Sequence, residues 1–115
     1  MLDDVTISAL QTAMRGLSAR QAAISQDISN VNTPYYRARN VTFEGDLRRA
    51  LMNGENPLNV QPTTRYSQVE GGLNGNNVDL DAETVASVQT ELSFQLAVRA
   101  TGDRFSLIST AIRGS

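Results

Sequence analysis

The sequence has no histidine, no cysteine and no tryptophan, and all ten of its basic residues are arginine, so lysine is missing too. Each absence closes a class of chemistry. Without His or Cys there is no Ser-His or Cys-His nucleophile pair and no Cys/His zinc site. Without Lys there is no Walker-type phosphate lysine and no Schiff base. The lack of cysteine also removes any disulfide framework, so the redox compartment is not legible from the chain. Charge is scarce as well: the net value is −2, and the arginines are scattered. That is not the dense basic surface that nucleic acid requires. No apolar run approaches the roughly 20 residues of a membrane span. The opening Met-Leu-Asp-Asp is acidic where a Sec-type leader needs a basic region and an apolar block, so any export is expected to proceed without one. Arg, Asp, Glu, Ser and Tyr remain for catalysis, and no catalytic, cofactor or metal site and no small-molecule substrate is expected among them.

What is present is helical periodicity at both ends. Ile7, Leu10, Met14, Leu17, Gln21, Ile24, Ile28 and Val31 are spaced alternately by three and four residues, a heptad stripe interrupted only by Gln21; it reads as an assembly seam, with an intramolecular hairpin seam as the plainer reading. A helix over residues 3–29 would be roughly 40 Å long, with Asp3 and Asp4 at the positive end of its dipole. Gln21 in this seam reads as register control, a hydrogen bond to a partner, or a tolerated polar residue.

The last third of the chain predicts a second long helix, with Asp81 as N-cap and Glu83 in its first turn. Its apolar residues follow two stripes: Val85, Val88, Leu92 and Leu96, then Phe94, Val98, Thr101, Phe105, Ile108 and Ile112. A helix apolar on two sides needs more than one neighbour. Gly102, costing about 1 kcal/mol relative to Ala, is expected to mark close packing or a bend. Gly114 reads as a stop.

The middle has a different composition. Pro34 breaks the first helix. Phe43, Leu47, Ala50 and Leu51 predict a short amphipathic helix near 43–52, ended by Asn53-Gly54. Residues 53–77 are rich in Asn, Gly, Gln and Pro and poor in large hydrophobes. Such a segment is expected not to order itself but to be mobile or to fold on a partner.

The expected architecture is mainly α. Residues 1–32 and 79–115 supply two long terminal helices forming an antiparallel coiled-coil-like hairpin, a single discontinuous domain. Residues 33–78 form an irregular segment with one short helix. At 115 residues and 40% hydrophobic content, core burial in one such hairpin is marginal. The missing burial is expected to come from other copies or other proteins.

The segment Ile28-Ser29-Asn30-Val31-Asn32-Thr33-Pro34-Tyr35-Tyr36-Arg37 resembles the signature Asn-Ile-Ala-Asn-x-x-Thr-Pro-Gly-Tyr that ends the first helix of bacterial flagellar axial proteins, the rod and hook subunits. Ile28, Asn30, Thr33, Pro34 and Tyr36 match it. Asp27 replaces the leading Asn, Ser29 replaces Ala, and Tyr35 stands where Gly is usual. Glycine there permits a type II turn, whereas Tyr35 is expected to favour type I. The stretches 38–44 and 75–83 resemble the segments that follow this signature and enter the C-terminal helix in the proximal rod members. The short length suits those members as well. The resemblance implies a self-assembling structural subunit of the flagellar basal-body rod, carrying torque from the membrane ring to the hook. It also implies export through the flagellar type III apparatus, a place outside the cytoplasmic membrane, and contacts with copies of itself, other rod proteins and ring adapters.

Weaker patterns are weighed against plainer readings. Asp79, Asp81 and Glu83 alternate like a calcium loop but lack its glycine. The stretch from Gly71 to Gly75 lacks the Lys and Ser/Thr of a phosphate cradle and reads as a flexible turn. Arg48-Arg49 reads as a solvated face. The rival to a rod subunit is a small secreted helical-hairpin effector or carrier that binds a protein partner as a dimer; the hairpin signature of the best-known examples needs a Trp that this chain lacks.

Overall fold

A computed structural model describes residues 2–112, and side chains for residues 4–110. Helix α1 (Leu2–Ser29) is followed by strand β1 (Arg39–Thr42), helix α2 (Glu44–Met52), a single 3-10 turn (Pro57–Asn59), strand β2 (Thr63–Tyr66) and helix α3 (Leu80–Ile112). The two long helices pack antiparallel. Gln21 Nε2 donates to Ser87 Oγ at 2.8 Å, and nearer the other end of the pair Leu17 and Phe94 line one hollow. No helix among the described residues is long and apolar enough to cross a membrane.

The predicted α1 stripe is the face turned inward. Leu17 and Ile24 are buried, and Ile7, Leu10, Met14, Gln21, Ile28 and Val31 are half-buried. Gln21 spans the seam to Ser87, although its Oε1 is buried without a partner. Asp3 and Ile112, expected as dipole partner and packing residue, carry no described side chain, and Gly114, expected as helix stop, lies outside the described residues.

The middle segment corrects the expectation that it would not order itself. Residues 33–79 fold back along α1 and form a two-stranded antiparallel sheet that pairs Arg39 with Tyr66 and Val41 with Thr64. The reason is polar. Thr12 Oγ1, fully buried in α1, donates to the Pro57 carbonyl at 2.9 Å, and Arg15 Nη2 donates to the carbonyls of Leu58 and Val60, each at 3.2 Å. Side chains of α1 thus satisfy backbone acceptors that apolar burial could not order. Apolar packing is confined to one patch, where Val41, Phe43 and Ala50 are buried against α1. There the Phe43 ring occupies the space beside Gly16, where a Cβ would come within 2.2 Å of it.

Helix α3 carries two further corrections. The cap of α3 is Asp79, not Asp81: Ala82 N–H donates to Asp79 Oδ1 at 3.1 Å and Glu83 N–H to its carbonyl at 2.9 Å. The helix therefore begins two residues earlier than the charge pattern implied, and Asp81 is left exposed in its first turn. Gly102 is not a close-packing site, since no atom lies within 4 Å of a Cβ placed there.

Candidate assembly interface

The helix-end signature forms one hydrogen-bonded unit. Asn30 ends α1 by donating from Nδ2 to the Gln26 carbonyl at 2.8 Å, and its Oδ1 accepts from Thr33 Oγ1 at 3.0 Å. Pro34 and Tyr35 then turn the chain, closed by Tyr36 N–H to the Thr33 carbonyl at 3.3 Å. Tyr35 has φ 62°, so the turn is type II, with the backbone that glycine would adopt, and not the type I expected for tyrosine. Two contacts enforce it. Tyr35 N–H donates to the Asn74 carbonyl at 3.0 Å, and the tyrosine ring lies over Gly75, where a Cβ would meet it at 2.4 Å.

Two asparagines, not singled out by the sequence pattern, hold this unit to the entry of α3. Asn76 Nδ2 donates to the carbonyls of both Asn30 and Thr33 at 2.8 Å. Asn77 Oδ1 accepts from Ala38 N–H at 2.6 Å, while its Nδ2 donates to the carbonyls of Ser67 and Val69. An amide is both donor and acceptor, and that is what lets one side chain tie three strands of backbone. The signal available in the sequence was the adjacent Asn-Asn pair directly ahead of the α3 cap.

Beneath this unit lie two acids, one from each long helix. Asp27 of α1 has no exposed surface, and its carboxylate accepts Tyr36 Oη–H at 3.2 Å and Arg39 N–H at 3.2 Å. Glu83 of α3 is half-buried on the side turned to α1. Burial pushes the Glu83 carboxyl up, with further lift from Asp27 and Asp79, to about 7. Burial and Asp27 likewise push the Tyr36 phenol up. Further along α1, Arg20 donates twice to the Val41 carbonyl and once to Glu44 Oε1 at 2.7 Å, with its guanidinium 5.1 Å from the Phe43 ring centre. That hydrogen bond from Arg20 holds the Glu44 carboxyl down at about 2.

The face of α3 turned to α1 is made of Glu83, Ser87, Thr90, Phe94, Ala97 and Thr101, small or polar apart from Phe94. The first predicted stripe points the other way. Leu92 lies two residues from buried Thr90, roughly 200° around the helix. Val85, Leu92 and Leu96 are each 57% exposed and Val88 65%. Of the second stripe, Phe94 and Ile108 are half-buried, while Val98 and Phe105 are exposed. The predicted packing residues of α3 are therefore divided: Phe94 and Ile108 are half-buried, Val85, Val88, Leu92 and Leu96 form an apolar row along the outer side, and Val98 and Phe105 are exposed away from that row. Single exposed hydrophobes are ordinary, but a contiguous helical row of them marks an interaction surface. Beside it an open groove of about 480 Å³, lined by Ala13, Leu17, Phe43, Leu47 and Ser93 among others, runs between α2 and α3. Among the described residues no three acidic, His or Cys side chains converge on a metal position.

This constellation, a helix-end turn, an asparagine clamp and an outward apolar helix, occurs on a chain with clear relatives. No protein-family model matches it. It is 30% identical over 118 aligned positions to the flagellar basal body rod protein FlgB of Borreliella burgdorferi, covering 84% of this chain and 87% of that protein. The chain belongs to the FlgB family. The FlgB of Bacillus subtilis is 29% identical across 95% of this chain and 94% of its own length, and that of Escherichia coli 25% identical across 87% and 88%. This FlgB-family chain is a structural component of the flagellar basal-body rod. Family membership sets aside the dimeric hairpin effector. It also gives the outward row of α3 a setting, since the FlgB-family chain is a part of a larger structure rather than a self-contained domain.

Proposed function

We propose that the chain is a proximal-rod subunit that assembles through its terminal helices and transmits torque from the membrane ring towards the hook. In this reading residues 1–32 and 79–115 form one discontinuous, coiled-coil-like hairpin domain, and residues 33–78 stiffen its closed end. Residues Ile7 to Val31 of the α1 stripe close the hairpin. The Val85, Val88, Leu92 and Leu96 row packs on neighbouring subunits, and the exposed Val98 and Phe105, on another side of α3, add to that contact. Those neighbours are copies of this chain, other rod proteins and ring adapters, and the flagellar type III apparatus delivers the chain to them. The role is mechanical, with no catalytic step.

The observation that carries this reading is the outward apolar row of α3, with four side chains more than half exposed on a helix whose inner face is already occupied. Burying each is worth about 1 kcal/mol, so many modest contacts distribute the load. The test is Leu92→Asp with Leu96→Asp in the native gene. The purified variant should keep the helical content of the unmodified chain, because neither residue supports the hairpin. Cells carrying it should be non-motile, with basal bodies that lack a complete rod. Normal swimming with intact rods would sink the assignment.

A further inference from the structure

The turn between β2 and α3 presents an apolar knob that the row along α3 does not involve. Leu73 is wholly exposed, and Tyr35 beside this turn is 80% exposed. An exposed leucine on a loose loop would carry no message, but this turn is closed. Gly75 N–H donates to the Gly72 carbonyl and Gly72 N–H to the Asn76 carbonyl, each at 2.9 Å. Tyr35 N–H holds the Asn74 carbonyl, and its ring covers Gly75. The knob is therefore shaped before a partner arrives, and docking it costs little ordering. Glu70, also exposed, is the only charged residue between Tyr66 and Asn77, and it directly precedes Gly71, which lies against Gly75.

A receptor of opposite shape and charge lies elsewhere on the same molecule. The open groove of about 480 Å³ between α2 and α3 has buried Leu17 and Phe43 at its base, with Leu47 and Leu51 on its α2 side. Three charged side chains line it, Arg20, Glu44 and Arg48. Arg20 and Glu44 pair with each other at 2.7 Å, which leaves the positive charge of Arg48 exposed at the rim. Among the described residues neither Arg48 nor Glu70 has an ion-pair partner. The knob is clamped to Asn30 through Asn76, and from Leu17 to Asn30 is roughly 20 Å of helix. A knob cannot reach the groove of its own chain, but a second copy can bring one there.

We propose that the knob formed by Leu73 and Tyr35 of one copy docks in the groove between α2 and α3 of the next, with Glu70 meeting Arg48 across the contact. The docking rests on the reading that the chain assembles with its own copies, and it adds a contact at the closed end to those along α3. Each copy gives one knob and offers one groove. The two patches differ, so the contact is head-to-tail and leaves a free knob and a free groove for further copies. The apolar knob supplies most of the attraction, and the exposed charge pair fixes its orientation.

Because the chain has no cysteine, introduced thiols report this contact alone. Full-length Leu73→Cys chain is mixed with Leu47→Cys chain and oxidised with diamide. A disulfide-linked heterodimer should form, since docking brings the two positions within the roughly 7 Å that a disulfide spans. Gln11→Cys, at the level of the groove but about 200° around α1 from Ala13, should not link to Leu73→Cys. Glu70→Arg in the knob chain should lower the yield about fivefold, and Arg48→Glu in the groove chain should restore it. A chain carrying both Leu73→Cys and Leu47→Cys should link into a ladder of trimers and longer products. Yields no higher than with Gln11→Cys, or no rescue by the charge swap, overturn the proposal. So does a double-cysteine product that stops at the dimer, which would mean reciprocal exchange of knobs. Leu47→Cys linking to Leu92→Cys in place of Leu73→Cys would give the groove to the α3 row and overturn it too. Should Leu47→Cys fail to fold, Leu51→Cys, 42% exposed on the same side of the groove, takes its place. The α3 row is scored separately, by basal bodies in cells, and either reading can fail without the other.

Discussion

Gly16 and Gly102 show how a residue's meaning depends on what faces it. Both are helical, and in an isolated helix either would gain about 1 kcal/mol on replacement by alanine. At Gly102 nothing lies within 4 Å of the new methyl, so Gly102→Ala should realise that gain and raise the unfolding midpoint by several degrees. At Gly16 the same methyl would run into the Phe43 ring, which also carries the Arg20 guanidinium. Overpacking of this kind costs about 1–3 kcal/mol, so Gly16→Ala should lower the midpoint despite its better helix propensity. Thermal melts of the two variants side by side check the opposite signs. Tyr35 teaches a related lesson. Reading its side chain alone favours a type I turn, yet the hydrogen bond to Asn74 and the glycine beneath its ring hold it at positive φ, a conformation costing an L-residue about 1–2 kcal/mol. Tertiary partners overrode the local preference.

At the scale of elements, what the sequence disclosed and what it hid follow from where the stabilising energy resides. Helix α1 was legible because its inward face is apolar at a spacing that no other structure satisfies. The α2 helix and its end at Asn53-Gly54 were legible from Phe43, Ala50 and a glycine at φ 70°. The orientation of α3 was not, because the side that meets α1 is Ser87, Thr90, Ala97 and Thr101, while the residues that look like a core face outward. The order of residues 53–77 was hidden for another reason. It rests on Thr12, Arg15, Asn76 and Asn77 reaching backbone carbonyls, and hydropathy does not register such bonds. The Arg20–Glu44 contact that ties α1 to α2 belongs to this polar set, and it predicts an acid limb. Glu44 is held down to about 2 by its bond from Arg20, so its contribution is present above the ordinary carboxylate range and lost as pH falls through 2. Glu44→Gln should remove that part of the acid sensitivity, read from unfolding midpoints between pH 4.5 and 2. With Glu44 53% exposed the effect is screened, and added salt should shrink it.

The whole molecule is a rod in outline, 65 × 27 × 14 Å, with a radius of gyration of 17.7 Å. A compact chain of this length would measure about 13 Å. Elongation exposes surface, and the core is correspondingly uneven. Among the described residues, Thr12 is the first buried position of α1 and Ala97 the last of α3. Beyond them the two helices lie side by side with only half-buried contacts, Ile7 and Leu10 on one and Thr101 and Ile108 on the other, while Phe105 and Leu107 face solvent. Residues 33–79 cover the other half, where the asparagine clamp, the sheet and buried Asp27 all lie. Local stability tracks buried contact, so the hairpin should open from its free end. In the isolated chain at low concentration, amide hydrogen exchange should be slow across residues 16–29 and 83–97 and fast across 2–10 and 100–112. Raising the concentration until subunits associate should slow exchange in the fast set and leave the slow set nearly unchanged, because the amides beneath the Val85 to Leu96 row are already protected in the hairpin, while association also covers the end that one molecule leaves bare. Uniform protection at low concentration would mean that the hairpin is self-sufficient. Slowing confined to residues 33–79 would place the contact between subunits at the closed end instead.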